Sequence, residues 1–131
     1  MDQTTREVKR TERGWGAHFI GSRHCEFRRN TLLECGEARL VVSSVGAYMP
    51  KEDGKYALVN GYGFYETLAF APMRAPYWDI DPRLPIHFEG KWYIDKISNS
   101  IDIEANDMHE AIVHELSERL RKDDTWMRGL K

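Results

Sequence analysis

In residues 102–122, DIEANDMHEAIVHELSERLRK, the apolar side chains Ala105, Met108, Ile112, Leu116 and Leu120 recur at spacings of three and four. That period gathers them into one stripe along an α-helix. Asp102, Glu104 and Asp107 stand in the early turns and Arg119, Arg121 and Lys122 in the last, the polarity that the helix dipole favours. Glu115 with Arg119 and Glu118 with Lys122 are i,i+4 pairs with the acid first, the better orientation. Such a stripe has to be buried against another element. The regular structure ahead of it reads as β, so the expected partner is one face of a sheet.

The strongest strand is Ala38 to Met49, ARLVVSSVGAYM, long and rich in β-branched residues and suited to a central place. Upstream, Trp15, Ala17 and Phe19 alternate with smaller or polar residues as a first strand, and a second runs from Cys25 and Phe27 to Leu33 and Cys35. Gly36-Glu37 is the turn between the second strand and the central one. Pro50 to Lys55 contains Asp53-Gly54, residues that tolerate positive φ, and reads as a hairpin connection. Tyr56 to Val59 and Phe64 to Phe70 follow as strands around Asn60-Gly61, and Ile86 to Phe88 with Trp92 to Ile94 as a last short hairpin. Four prolines between Pro72 and Pro85 exclude regular structure there. The expected class is α+β, an antiparallel sheet of five or six strands packed against one long C-terminal helix. Residues 1–13 are expected as a flexible arm and residues 14–131 as a single domain.

A chain of 131 residues is long enough to build one core without metal or disulfide staples. Its 41% hydrophobic and 31% charged residues are those of a globular protein, and a net charge of -2 argues against a general polyanion binder. Met1 to Arg13 has no apolar core of a secretory signal, and no apolar run approaches a membrane span. These features predict a cytoplasmic protein with no membrane contact, in which Cys25 and Cys35 are free thiols.

The chemistry-bearing residues fall into four groups. His109-Glu110 and His114-Glu115 evoke a helical zinc motif, but the histidines are five apart, about 140° around a helix, so they cannot share an ion. Cys25 and Cys35 with His18, His24 and His87 lack zinc-ligand spacing and read as core thiols. Asp79 and Asp81, with Glu66 in reach from a strand, are the weak candidates for a Mg²⁺ or Mn²⁺ site. Glu89-Gly90-Lys91 after them completes an order like that of metal-dependent nucleases. Gly90 looks like a turn centre, though, whereas that motif lies on a strand. The fourth group is basic and aromatic: Arg28, Arg29, Asn30 and His18, with Trp15 or Tyr65 as a stacking surface. Strand alternation sets Arg28 and Asn30 on one face and Arg29 and Thr31 on the other. One guanidinium can then grip a phosphate or carboxylate while the other supports it. The competing account is a salt-bridged strand, with Glu26, Glu34 and Glu37 as the nearby acids.

Gly14-Trp15-Gly16-Ala17-His18-Phe19-Ile20, Phe27-Arg28-Arg29-Asn30-Thr31-Leu32, Val41 to Gly46, Tyr65-Glu66-Thr67 and Glu104 to Glu110 together resemble a group of small uncharacterised proteins of phages, prophages and mobile elements. The resemblance covers nearly all of the chain after Arg13 and carries no catalytic assignment. It implies an accessory protein that acts by stoichiometric binding in counter-defence. Such a protein inhibits a host immune effector, such as a CRISPR complex, or sequesters a nucleotide signal. The alternatives are a small metal-dependent nuclease or nucleotide-processing enzyme, and a structural or assembly protein with an oligomer interface. The partners expected are a host defence protein or a nucleotide, with nucleic acid and homo-oligomers as further options. The reading calls for no cofactor.

Overall fold

The computed structural model describes residues 7–13, 24–59, 64–72, 80, 93–94 and 101–122. It is an α+β arrangement: β1 (Lys9–Glu12), β2 (Cys25–Cys35), β3 (Ala38–Tyr48), β4 (Tyr65–Phe70) and β5 (Tyr93–Ile94) precede α1 (Ile101–Lys122). The strands form an antiparallel meander in chain order, with β5 a two-residue addition at the edge of β4. β2 and β3 are both eleven residues long and pair around Gly36-Glu37 from Cys35 with Ala38 to Cys25 with Tyr48, interrupted at Glu26 and Ala47. Gly36 has φ 61° there, the conformation a primed hairpin turn requires at its first central position.

Alternation divides the sheet into two faces. The face toward α1 carries Leu33 and Cys35 from β2, Leu40 and Val42 from β3 and Ala69 from β4, packed with Ile112, Val113, Leu116 and Leu120 of the helix. Farther along α1, Ala105 packs with Tyr65 and Ala47, and Phe27 and Met108 close in from the side. Leu32, Val41, Val45 and Phe70, on the opposite face, are buried as well. Burial on both faces explains why β3 reads as a nearly unbroken apolar run.

Tyr65 is the largest fully buried side chain among the described residues, and its place depends on Gly46. The two residues are cross-strand partners, and a β-carbon at Gly46 would overlap the Tyr65 ring. Gly46→Ala is therefore expected to lower stability by about 1–3 kcal/mol through overpacking, read as a shift in the urea midpoint. An unchanged midpoint would mean that the ring does not lie over Gly46. Next to it, Ala47 has φ 52° and reverses the hydrogen-bonding phase of the strand. Its N–H still bonds Phe64 O, while Tyr48 O turns outward to the N–H of Ala57 and Met49 N–H turns to His24 O.

Three expectations need correction. Lys9–Glu12, placed in a flexible arm, is a strand paired with Thr31–Glu34 of β2. Its sequence KRTE has no apolar alternation, and it is held by backbone bonds and by charge pairs with residues far along the chain. Tyr56 to Val59 is not a strand; it contributes one isolated bridge, Ala57 to Tyr48, and leaves Leu58 exposed. Glu118 pairs with Arg121 at i,i+3 rather than serving an i,i+4 pair. The strand expected at Trp15 to Phe19, most of the proline-rich loop and Ile86 to Phe88 lie outside the described residues.

Candidate functional site

Arg29 is where β1, β2 and α1 meet. Alternation points its side chain toward the helix, and there it finds three acceptors. Nη1 donates to Asn106 Oδ1 at 2.8 Å and to Glu110 Oε2 at 2.6 Å, and Nη2 donates to Glu12 Oε1 at 2.5 Å. Arg10 of β1 holds the same two carboxylates from the other side. Its Nε donates to Glu12 Oε2 at 2.6 Å, and its two terminal nitrogens grip Glu110 bidentately at 2.9 and 2.5 Å. Arg10, Glu12, Arg29 and Glu110 thus form a closed ring of alternating charge with no net charge. The ring depresses the Glu110 pKa to about 2, chiefly through the hydrogen bonds from Arg10, and holds Glu12 below its ordinary value despite desolvation.

A buried chain of hydroxyls leads inward from this ring. Thr31 Oγ1 donates to Glu12 at 3.0 and 3.1 Å and lies 2.7 Å from Nε2 of His109. His109 Nδ1 lies 2.7 Å from Ser44 Oγ, which is 2.5 Å from Thr67 Oγ1. The carboxylate can only accept, and that fixes the sense of every bond. Thr31 gives its proton to Glu12, so His109 must donate from Nε2. Nδ1 then accepts from Ser44, and Ser44 accepts from Thr67. His109 is completely buried and neutral, its pKa lowered to about 4 by desolvation first and by the charge of Arg29 second. A buried imidazole with both nitrogens satisfied rigidifies the contact between helix and sheet.

This arrangement sorts the site residues expected from sequence. Arg29 is the salt-bridged arginine of the competing account, but its acids are Glu12 and Glu110, whereas Glu34 pairs with Arg39 and Glu26 accepts from Tyr56. Asn30 is buried and accepts from Arg13 Nε at 2.9 Å, so it is a structural residue. Tyr65 is fully buried beneath α1 and cannot serve as an external stacking surface. Arg28 alone of these four is exposed, on the face away from the helix. His18 and Trp15 lie outside the described residues, as do Asp79, Asp81, Lys91 and His87. Glu66, the third acid of the metal reading, is buried on β4. Among the described residues no three His, Cys, Asp or Glu side chains group as a metal site, and no helix is long and apolar enough to cross a membrane.

Cys25 and Cys35 stand at opposite ends of β2, ten residues or about 33 Å apart along an extended strand. They cannot bond to each other or share an ion. Both are free and buried. Burial pushes the Cys25 thiol up to about 11, and the Cys35 thiol donates to Leu120 O at 3.6 Å. Native protein at neutral pH is therefore expected to react slowly with a thiol reagent and to titrate two thiols on unfolding. Rapid native reaction at Cys25 would contradict this.

Sequence spacing marks His109 only as a rejected zinc ligand and Thr31 only by its face, and it gives Ser44 and Thr67 no role. Their signal was present: His109 falls four after Ala105 and three before Ile112, inside the apolar stripe. Ser44 and Thr67 interrupt apolar strands at directly paired positions. No family model, curated protein or solved structure matches the chain.

Proposed function

We propose that the protein is a stoichiometric binder serving a phage or other mobile element, and that it acts in counter-defence by docking on a host immune effector such as a CRISPR complex. The observation that carries this reading is the closed ring of Arg10, Glu12, Arg29 and Glu110 over the buried His109 chain. These groups are engaged with one another and hold β1, β2 and α1 in one body. A stiff body suits a binder, because little order has to be created on association. The resemblance to mobile-element proteins supplies the counter-defence context. Nucleotide sequestration is the narrower form of the proposal, and it needs a guanidinium that is not already bracketed by carboxylates. Among the described residues, exposed Arg28 meets that condition and Arg29 does not.

The test is titration of the protein into a reconstituted host effector, with co-elution and inhibition measured together. The expected result is inhibition that saturates at a fixed ratio of the two components. Arg28→Ala is expected to weaken it by about ten- to a hundredfold, the loss of one charge-assisted contact. Arg29→Lys should act through stability and leave affinity of the folded protein nearly unchanged. Turnover of a nucleotide or nucleic acid that needs Mg²⁺ and vanishes in Asp81→Asn would replace this reading with the metal-dependent enzyme.

A further inference from the structure

The outer edge of β1 carries hydrogen-bonding groups that no described residue satisfies through the sheet, and their positions follow from the ladder. Arg13 N–H bonds Asn30 O at 2.7 Å, so in an antiparallel pair Lys9, Thr11 and Arg13 turn their backbone groups toward β2. Arg10 and Glu12 turn theirs outward, at the end of the strand order among the described residues. Their side chains both point to the helix face, where they join the ring with Arg29 and Glu110.

We infer that this edge pairs with a second copy of the chain, β1 against β1, about a two-fold axis perpendicular to the sheet at Thr11. Symmetry leaves few choices. Two antiparallel copies that keep their helix faces on the same side must place a residue on the axis, because facing residues share a side of the sheet. An axis at Arg10 sets that arginine against itself, and an axis at Glu12 does the same with two carboxylates. With Thr11 on the axis, Arg10 faces Glu12 of the second copy twice, and the outward backbone groups of those residues meet as hydrogen-bonded pairs. Each ring of charge then continues into the other. On the far face this register sets Lys9 opposite Arg13. Lys9 is exposed, so its ammonium stays in water, and the Arg13 guanidinium is turned onto Asn30. The result is one continuous sheet with both helices on the same side and no open β1 edge, the exposure that strand proteins commonly suppress.

Charge reversal provides the test. Arg10→Glu alone sets Glu against Glu at both contacts, and Glu12→Arg alone sets Arg against Arg. Each variant is expected to self-associate about tenfold or more weakly than wild type in sedimentation equilibrium. An equimolar mixture of the two restores both opposite-charge pairs, so a heterodimer is expected. A mixture that stays monomeric while both variants keep a folded circular dichroism spectrum would overturn the register. Amide hydrogen exchange on wild type needs no variant. Protection at Arg10 and Glu12 should rise with protein concentration, while Lys9 and Thr11 stay protected throughout. Concentration-independent exchange at Arg10 and Glu12, or a monomeric wild type across the series, would overturn the interface itself.

Discussion

Leu116→Ala is expected to lower the stability of the protein by about 2–5 kcal/mol, the range for deleting a large aliphatic side chain from a packed core. Leu116 is fully buried on the helix stripe, in one cluster with Leu33, Cys35, Leu40, Val42 and Ala69 of the sheet. Those residues lie on three strands whose positions are fixed by their ladders, so the cavity cannot close by a simple shift of the helix. Glu115, one residue earlier, is exposed, and Glu115→Ala should change stability by no more than about 0.5 kcal/mol. Urea denaturation of both variants beside wild type makes the comparison. Equal midpoints for the two would show that α1 is not packed on the sheet through this stripe.

The parts of this fold that show in the sequence are those that rest on local periodicity. The stripe from Ala105 to Leu120 and the β-branched run of β3 follow from side chains a few residues apart, and both stand where the pattern puts them. β1 was hidden because nothing within Lys9–Glu12 signals a strand. Its anchors are Arg29, nineteen positions after Arg10, and Glu110, a hundred positions after it. The same non-local pairing separates the expected site from the observed one. Arg29 and its face are legible from alternation, but its acids come from other elements and not from its neighbours in sequence. Tyr65 looked like a stacking surface because an aromatic strand residue is either core or contact. The difference lies in the register that sets it over Gly46, which no single strand displays. His109 shows the opposite case. It stands in the stripe at helical spacing, yet spacing alone does not show its burial, because a histidine is buried only when partners such as Thr31 and Ser44 face both ring nitrogens.

That buried imidazole also sets how the protein responds to acid. The folded-state pKa of His109 is about 4, against an ordinary value of 6.5. Between these values the unfolded chain binds a proton that the folded chain refuses, so stability falls as pH drops through that window and rises as it climbs back. The full penalty, reached below pH 4, is about 3 kcal/mol. The carboxylates add to the loss later. Glu12 and Glu110 are held below the ordinary 4.5, so their contribution is present above that pH. It is lost as pH falls toward their folded values, about 2 for Glu110. Protonating His109 also removes the acceptor that Ser44 Oγ–H uses, so the Ser44 hydroxyl has to reorient in a dry interior. Urea midpoints measured from pH 7 to pH 4 are expected to decline steadily in wild type. They should stay nearly level over the upper part of that range in His109→Gln, whose side chain does not titrate, whatever its own starting stability. A wild-type midpoint that holds constant between pH 6.5 and 4.5 would mean that His109 does not sit buried and neutral between Thr31 and Ser44.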